Sequence, residues 1–268
     1  MINKLYLLLI TLFLSSYFYS IVEEDPLPTL GDYSSASISL SGEYEMGRLW
    51  LAMYRGSTKE HSDPLMRTYL EDLIYRLSET SEVRDRRFEF IILEDESINA
   101  FAAPGGIIGI NLGMFLNTKR EGELASVMCH ELAHLSQRHY ARSQNRSSPL
   151  ANALMILGSI AVAAASRNPE AIVIAPAAMQ QMSINYTRSN EKEADRIGFN
   201  NLVKAGFDPN DMTMMFQRMQ DKYQREDSEQ FSYLMTHPLP SERLTDMRIR
   251  VDNISKPSEG SFRDNLDF

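Results

Sequence analysis

The chain has 268 residues, enough for one domain with a sizeable buried core. Its net charge is −9, from 27 Lys and Arg against 36 Asp and Glu, which argues against a nucleic-acid-binding protein. Cys129 is its one cysteine, so no intrachain disulfide can form.

Residues 1–22 read as a signal peptide or an N-terminal anchor. Lys4 is followed by an uncharged run over 5–22, whose leucine-rich centre, 5–14, resembles the apolar region of a secretory leader. A small-x-small cleavage site is poor, because Phe18 stands two before Ser20 and Leu14 two before Ser16. The run is near the minimum of ~17–25 residues for spanning a bilayer. Cleaved or retained, it places the rest outside the cytoplasm.

Residues 23–42, with Pro26, Pro28, Gly31 and many serines, read as a flexible arm. One folded domain is expected over 43–254. Segments 44–54 and 63–78 have helical character, the second with Asp63 capping Pro64. Segment 87–93 alternates and predicts a strand. Segment 100–111 predicts a second strand, bent at Pro104-Gly105-Gly106. A helix over 121–142 follows, with Thr118 and Glu121 as a capping box. The apolar stretches 149–165 and 171–182 predict a buried or lid hairpin. Gly206 ends a helix that contains Glu191, and Asp208-Pro209-Asn210-Asp211 starts the next. Residues 255–268 form a polar tail.

Within the 121–142 helix, His130-Glu131-Leu132-Ala133-His134 reads H-E-x-x-H. Histidines at that spacing project from nearly one helix face, so both imidazoles can reach one ion, with the glutamate beside a bound water. The set points to a zinc metallopeptidase. Leu124, Val127, Met128 and Leu135 recur at helical spacing around it, so the pair is expected to be buried.

Zinc in a catalytic site needs a third protein ligand. His139 stands nine residues after His130, and Gln137 occupies the place where a longer histidine pattern needs a glycine. If the helix continued, His139 would point nearly opposite to His130. It is expected to pack or to hydrogen-bond. Glu191 and Asp195, four apart, share one helix face, and Glu193 points elsewhere. One of the two carboxylates can bind the ion while the other holds a ligand histidine by its free ring N–H. Cys129 projects about 100° from His130 and reads as packing.

Four motifs in order carry a resemblance: 99–106, 124–139, 191–195, and the H-P-x-x-x-x-R element His237-Pro238-Leu239-Pro240-Ser241-Glu242-Arg243. Together the chain resembles the HtpX and CAAX-prenyl-protease type of zinc metallopeptidase, in its soluble periplasmic branch. The resemblance covers most of the chain after about residue 40. It implies an α+β fold: a mainly helical, gluzincin-like domain with a small β-sheet beside the active-site helix. It implies one Zn2+ ion per chain on His130, His134 and Glu191, Glu131 as general base, and Asp195 as a supporting acid or proton donor. It also implies that His237 can approach the metal as a regulatory fourth ligand. Members of that branch carry C-terminal helical repeats, and docking through such repeats is not expected of the polar tail.

The function so implied is a zinc-dependent endopeptidase of the cell envelope, exported to the periplasm. Its substrates would be unfolded or misassembled outer-membrane proteins, and outer-membrane assembly machinery is a candidate partner. Membrane association would come at most from the N-terminal segment. An extended substrate is expected to add a strand along Ile107, Ile108, Gly109 and Ile110. Tyr186 and Arg243 are the candidates for stabilising the oxyanion. Two other classes share the ligands: a chaperone-like module with a structural zinc, and a membrane-anchored assembly factor. Neither needs Glu131.

Overall fold

The computed structural model describes residues 38–144, 187–225, 233, 237–238, 241–254 and 262. The leader and arm to residue 37, the apolar stretches 149–165 and 171–182, Tyr186 and nearly all of the tail lie outside the described residues.

Side-chain caps set where the first helices begin. Ser39 accepts the Gly42 N–H at 3.0 Å, so α1 (Leu40–Arg55) starts four residues before the expected Tyr44. Asp63 accepts the N–H groups of Leu65 and Met66 and starts α2 (Pro64–Thr80), with proline in the first turn as expected.

Three strands follow: β1 (Glu89–Leu93), β2 (Ala100–Ala103) and β3 (Ile107–Asn111). They lie in the order β1-β3-β2, with β1 parallel and β2 antiparallel to β3. Segment 100–111 is therefore a hairpin and not one bent strand. Gly105 and Gly106 make its turn at φ 76° and 77°, backbone that a side chain would strain. One consequence corrects an expectation. Ile107, Ile108, Gly109 and Ile110 form the central strand, hydrogen-bonded on both sides, and cannot accept a further strand. Among the described residues, β2 is the edge nearer the H-E-x-x-H helix.

The strand side chains alternate between two buried faces. Ile91, Phe101 and Ile107 pack on Trp50, Leu51 and Tyr54 of α1. Phe90, Ile92, Ala100, Ile108 and Ile110 join the main core with Leu70, Leu73, Ile74 and Leu77 of α2.

A short helix, α3 (Leu112–Asn117), leaves β3 directly. Then comes α4 (Glu121–Ser136), buried at every position from Glu121 to His134. Its start is not the expected capping box. Thr118 instead ends α3, and Glu123 turns its carboxylate back to the Lys119 N–H at 2.6 Å. Buried Glu121 and Glu123 are neutralised by Arg76 and Arg218. The helix stops six residues before the expected end, because Arg138 takes a left-handed conformation with φ 50°. Arg138 is anchored there by Glu43 and the Ile38 carbonyl. The chain then re-enters a separate helix, α5 (His139–Gln144).

Three helices complete the described fold: α6 (Arg188–Lys204), α7 (Asn210–Arg225) and α8 (Ser241–Asn253). Thr187 caps α6, and Gly206 at φ 87° ends it as expected. The architecture is the expected mainly helical α+β domain with a small sheet beside the H-E-x-x-H helix. No described helix is long and apolar enough to cross a membrane.

Candidate metal centre

Two helices build the centre, and a glycine lets them meet. Glu191, Asp195 and Gly198 share one stripe of α6, which faces α4. A Cβ on Gly198 would lie 3.0 Å from the Cys129 carbonyl and from His130 Cα, so the two backbones nearly touch there. Gly198→Val is expected to force them apart, costing about 2–3 kcal/mol. The check is a lowered urea midpoint together with weakened metal binding.

The approach brings His130, His134, Glu191 and His237 into one fully buried cluster, whose donor atoms all lie within 4.8 Å of one another. His130 Nε2 is 3.0 Å from His134 Nε2, 3.4 Å from His237 Nδ1 and 3.4 Å from Glu191 Oε2. Glu191 Oε1 is 3.4 Å from His134 Nε2 and 3.1 Å from His237 Nδ1. Ligands at about 2.0–2.1 Å from a tetrahedral zinc stand about 3.3–3.4 Å apart along each edge. The five separations, 3.0–3.4 Å, lie at or a few tenths of an ångström below that edge, with both Glu191 oxygens taking part. Three imidazoles and a carboxylate are also the donor types zinc takes, so the residues fit the ion.

Glu131 lies beside this set and not within it. Its Oε1 is 3.6 Å from His237 Nε2, and the backbone N–H of Ala102 on β2 faces its carboxylate. His237 reaches the cluster from a separate segment; its N–H donates to the Tyr233 carbonyl at 2.7 Å, and the Tyr233 ring stacks on it at 4.6 Å.

A second layer holds these groups. Asp195 Oδ1 lies 3.0 Å from His130 Nδ1, the support expected of one of the two carboxylates. Arg243 takes both Asp195 oxygens at 2.6 and 2.7 Å, and reaches Glu191 at 2.9 Å and the Pro238 carbonyl at 2.7 Å. Both Asp195 oxygens are thus engaged, and His130 and Arg243 hold its carboxyl below the usual range against the effect of burial, as suits a positioning carboxylate more than the proton donor that the resemblance allows. Arg243 is likewise committed behind the ligands, which removes it as an oxyanion donor. It ties the His237 segment to α6.

His139 hydrogen-bonds, as expected, but in an unexpected place. Its Nδ1 lies 2.8 Å from His134 Nδ1. The predicted opposite orientation assumed a continuous helix, and the turn at Arg138 reverses it. Glu193 points away from the cluster, toward His139. Cys129 packs at full burial with Asn201 at 3.5 Å, and burial raises its thiol pKa.

Burial and neighbours set the charges. Burial pushes the Glu131 pKa up, against the pull of His237 and His130. Burial disfavours the His130 imidazolium, but Asp195 and Glu191 outweigh it and raise His130 to about 9. Burial also favours a protonated Glu191, yet the surrounding histidines hold its carboxyl well below the usual range. For His134, burial wins and drives the pKa well down.

Sequence reading missed the roles of Tyr233, Glu193 and the Arg243 bridge. Arg243 is marked by the H-P-x-x-x-x-R element, but its partners are not, and Tyr233 and Glu193 carry no local signal, since each acts across elements far apart in the chain.

The pattern of peptidase family M48 matches residues 64–251. A protein of Vibrio cholerae, provisionally named a beta-barrel assembly-enhancing protease, is 42% identical over 239 residues, 87% of this chain and 49% of that one. The beta-barrel assembly-enhancing protease of Escherichia coli K12 is 38% identical, with 86% of this chain and 48% of that one aligned. The mitochondrial metalloendopeptidase OMA1 of Schizosaccharomyces pombe is 26% identical over 85% of this chain and 66% of its own. The chain spans about half the length of the beta-barrel assembly-enhancing proteases it matches. With the family pattern covering most of the chain and the H-E-x-x-H helix at the buried cluster, the chain belongs to peptidase family M48.

Proposed function

We propose that the protein is a zinc-dependent endopeptidase of the periplasm that hydrolyses unfolded or misassembled outer-membrane proteins. The observation that carries the reading is the buried cluster of His130, His134, Glu191 and His237, close enough to share one ion, with the Glu131 carboxylate beside it. The relatives named for beta-barrel assembly support the envelope setting and a link to assembly machinery.

A zinc ion on His130, His134 and Glu191 supplies a Lewis acid that polarises a peptide carbonyl and acidifies water. Glu131 accepts the proton of the attacking water and passes it to the departing amine. Its place beside the cluster, against the Ala102 backbone N–H, suits a base that must also give the proton back. Asp195 and Arg243 orient His130 and Glu191.

Substrate would add as a strand to the outer edge of β2, beside Ala102 and Glu131, in place of the interior strand expected from sequence. This mode reads backbone, so specificity is broad. Digestion of a randomised peptide library by the full chain tests it. Cleavage confined to one fixed sequence motif would contradict it.

His237 as a fourth ligand makes the resting site latent, since a closed four-ligand zinc site holds no water to activate. The complete burial of both Glu131 and His237 supports this. His237→Ala is expected to raise the rate of casein digestion several-fold. A rate no higher than wild type would count against the latch.

A further inference from the structure

His134 faces the cluster with Nε2, which lies 3.0 Å from His130 Nε2 and 3.4 Å from Glu191 Oε1. Its other nitrogen, Nδ1, lies 2.8 Å from His139 Nδ1. Two ring nitrogens at that distance share one hydrogen, so one donates and the other accepts. On its far side His139 Nε2 lies 3.2 Å from Glu193 Oε2, and Arg142 holds the same oxygen at 2.8 Å.

The direction of this chain is determined from its outer end. A carboxylate accepts and cannot donate, so the hydrogen of a neutral His139 sits on Nε2. Its Nδ1 then presents a lone pair, and His134 must supply the hydrogen between the rings. That leaves the His134 Nε2 lone pair aimed into the cluster. The reverse direction would set the His139 Nε2 lone pair against Glu193 and place a hydrogen where a cation must bind. His139 is fully buried, which favours its neutral form.

We infer that His139 is a positioning residue: with Glu193 and Arg142 behind it, it fixes the tautomer and ring plane of His134 and so sets the zinc affinity of the site. Neutral imidazole takes the place that a carboxylate takes behind His130. The left-handed turn at Arg138 makes this possible, because it returns the chain to His134. The inference rests on the proposed role of His134 as a ligand.

The test is the zinc dissociation constant of the full chain, measured by competition with a chelator of known affinity. His139→Leu is expected to weaken binding about 10–100-fold. His139→Asn, whose carboxamide oxygen can stand where Nδ1 stood, is expected to stay within a few-fold of wild type. In nitrogen NMR of the metal-free chain, His134 should carry its hydrogen on Nδ1 in wild type and become a mixture of tautomers in His139→Leu. Should His139→Leu fail to fold by circular dichroism, His139→Gln replaces it, with its oxygen displaced toward Nε2 and the same loss expected. Wild-type affinity in His139→Leu, or equal weakness in His139→Asn, would overturn the inference. His134→Ala separates the two levels: if it binds zinc as wild type does, the metal-site reading itself fails.

Discussion

Glu131→Gln is expected to lower the rate of casein digestion by about 10²–10⁴-fold, the usual contribution of a positioned general base. Zinc content and fold should not change. The reason is geometric: the donor cluster is His130, His134, Glu191 and His237, and Glu131 stands outside it, 3.6 Å from His237. An amide fills the same volume but cannot accept the proton of water. The comparison is made in the His237→Ala background as well, so that latency does not hide the loss. Equal digestion by both proteins would remove Glu131 as the base. It would also revive a reading in which the zinc site is structural.

Zinc removal is expected to have the largest effect on stability. Four side chains that could hold one metal ion are fully buried, and two imidazole nitrogens stand 3.0 Å apart in the cluster. A cation that binds the folded chain and not the unfolded one stabilises by mass action. Free zinc at a thousand times its dissociation constant contributes about 4 kcal/mol. For a domain of this size that is a rise of about 8–16 °C in melting temperature. Calorimetry of the full chain with zinc and with excess chelator reads the difference. Glu191→Ala should lose most of the zinc-dependent shift, because it removes the carboxylate that touches every histidine of the cluster. A melting temperature indifferent to zinc would show that these residues do not bind it in the folded state.

How far the sequence reaches is clearest along α4. Histidines four residues apart predict one shared helix face, and the structure brings both imidazoles to one point. Glu191 and Asp195 were legible for the same reason: helix geometry is local, and carboxylates four apart must align. Gly206 and Asp63 were legible because turn and cap chemistry is local too. The errors arise where backbone choice is not local. Arginine rarely adopts a left-handed conformation, so nothing at position 138 marks the end of α4. The anchor that holds it there, Glu43, is 95 residues away. The missed turn reversed the predicted orientation of His139. Strand pairing is likewise long-range: β1 covers one side of β3, so the segment expected to receive substrate became the middle of the sheet. Arg243 is a candidate oxyanion donor from sequence because its partners, Asp195 and Glu191, lie on another helix and leave no local trace.

The most direct test of the central claim is casein digestion by the full chain as zinc is stripped and restored. Digestion should stop when a chelator removes the metal. It should return with one equivalent of zinc per chain, in wild type and His237→Ala alike, and not in His134→Ala. A zinc-free chain that digests casein at an undiminished rate would contradict the account.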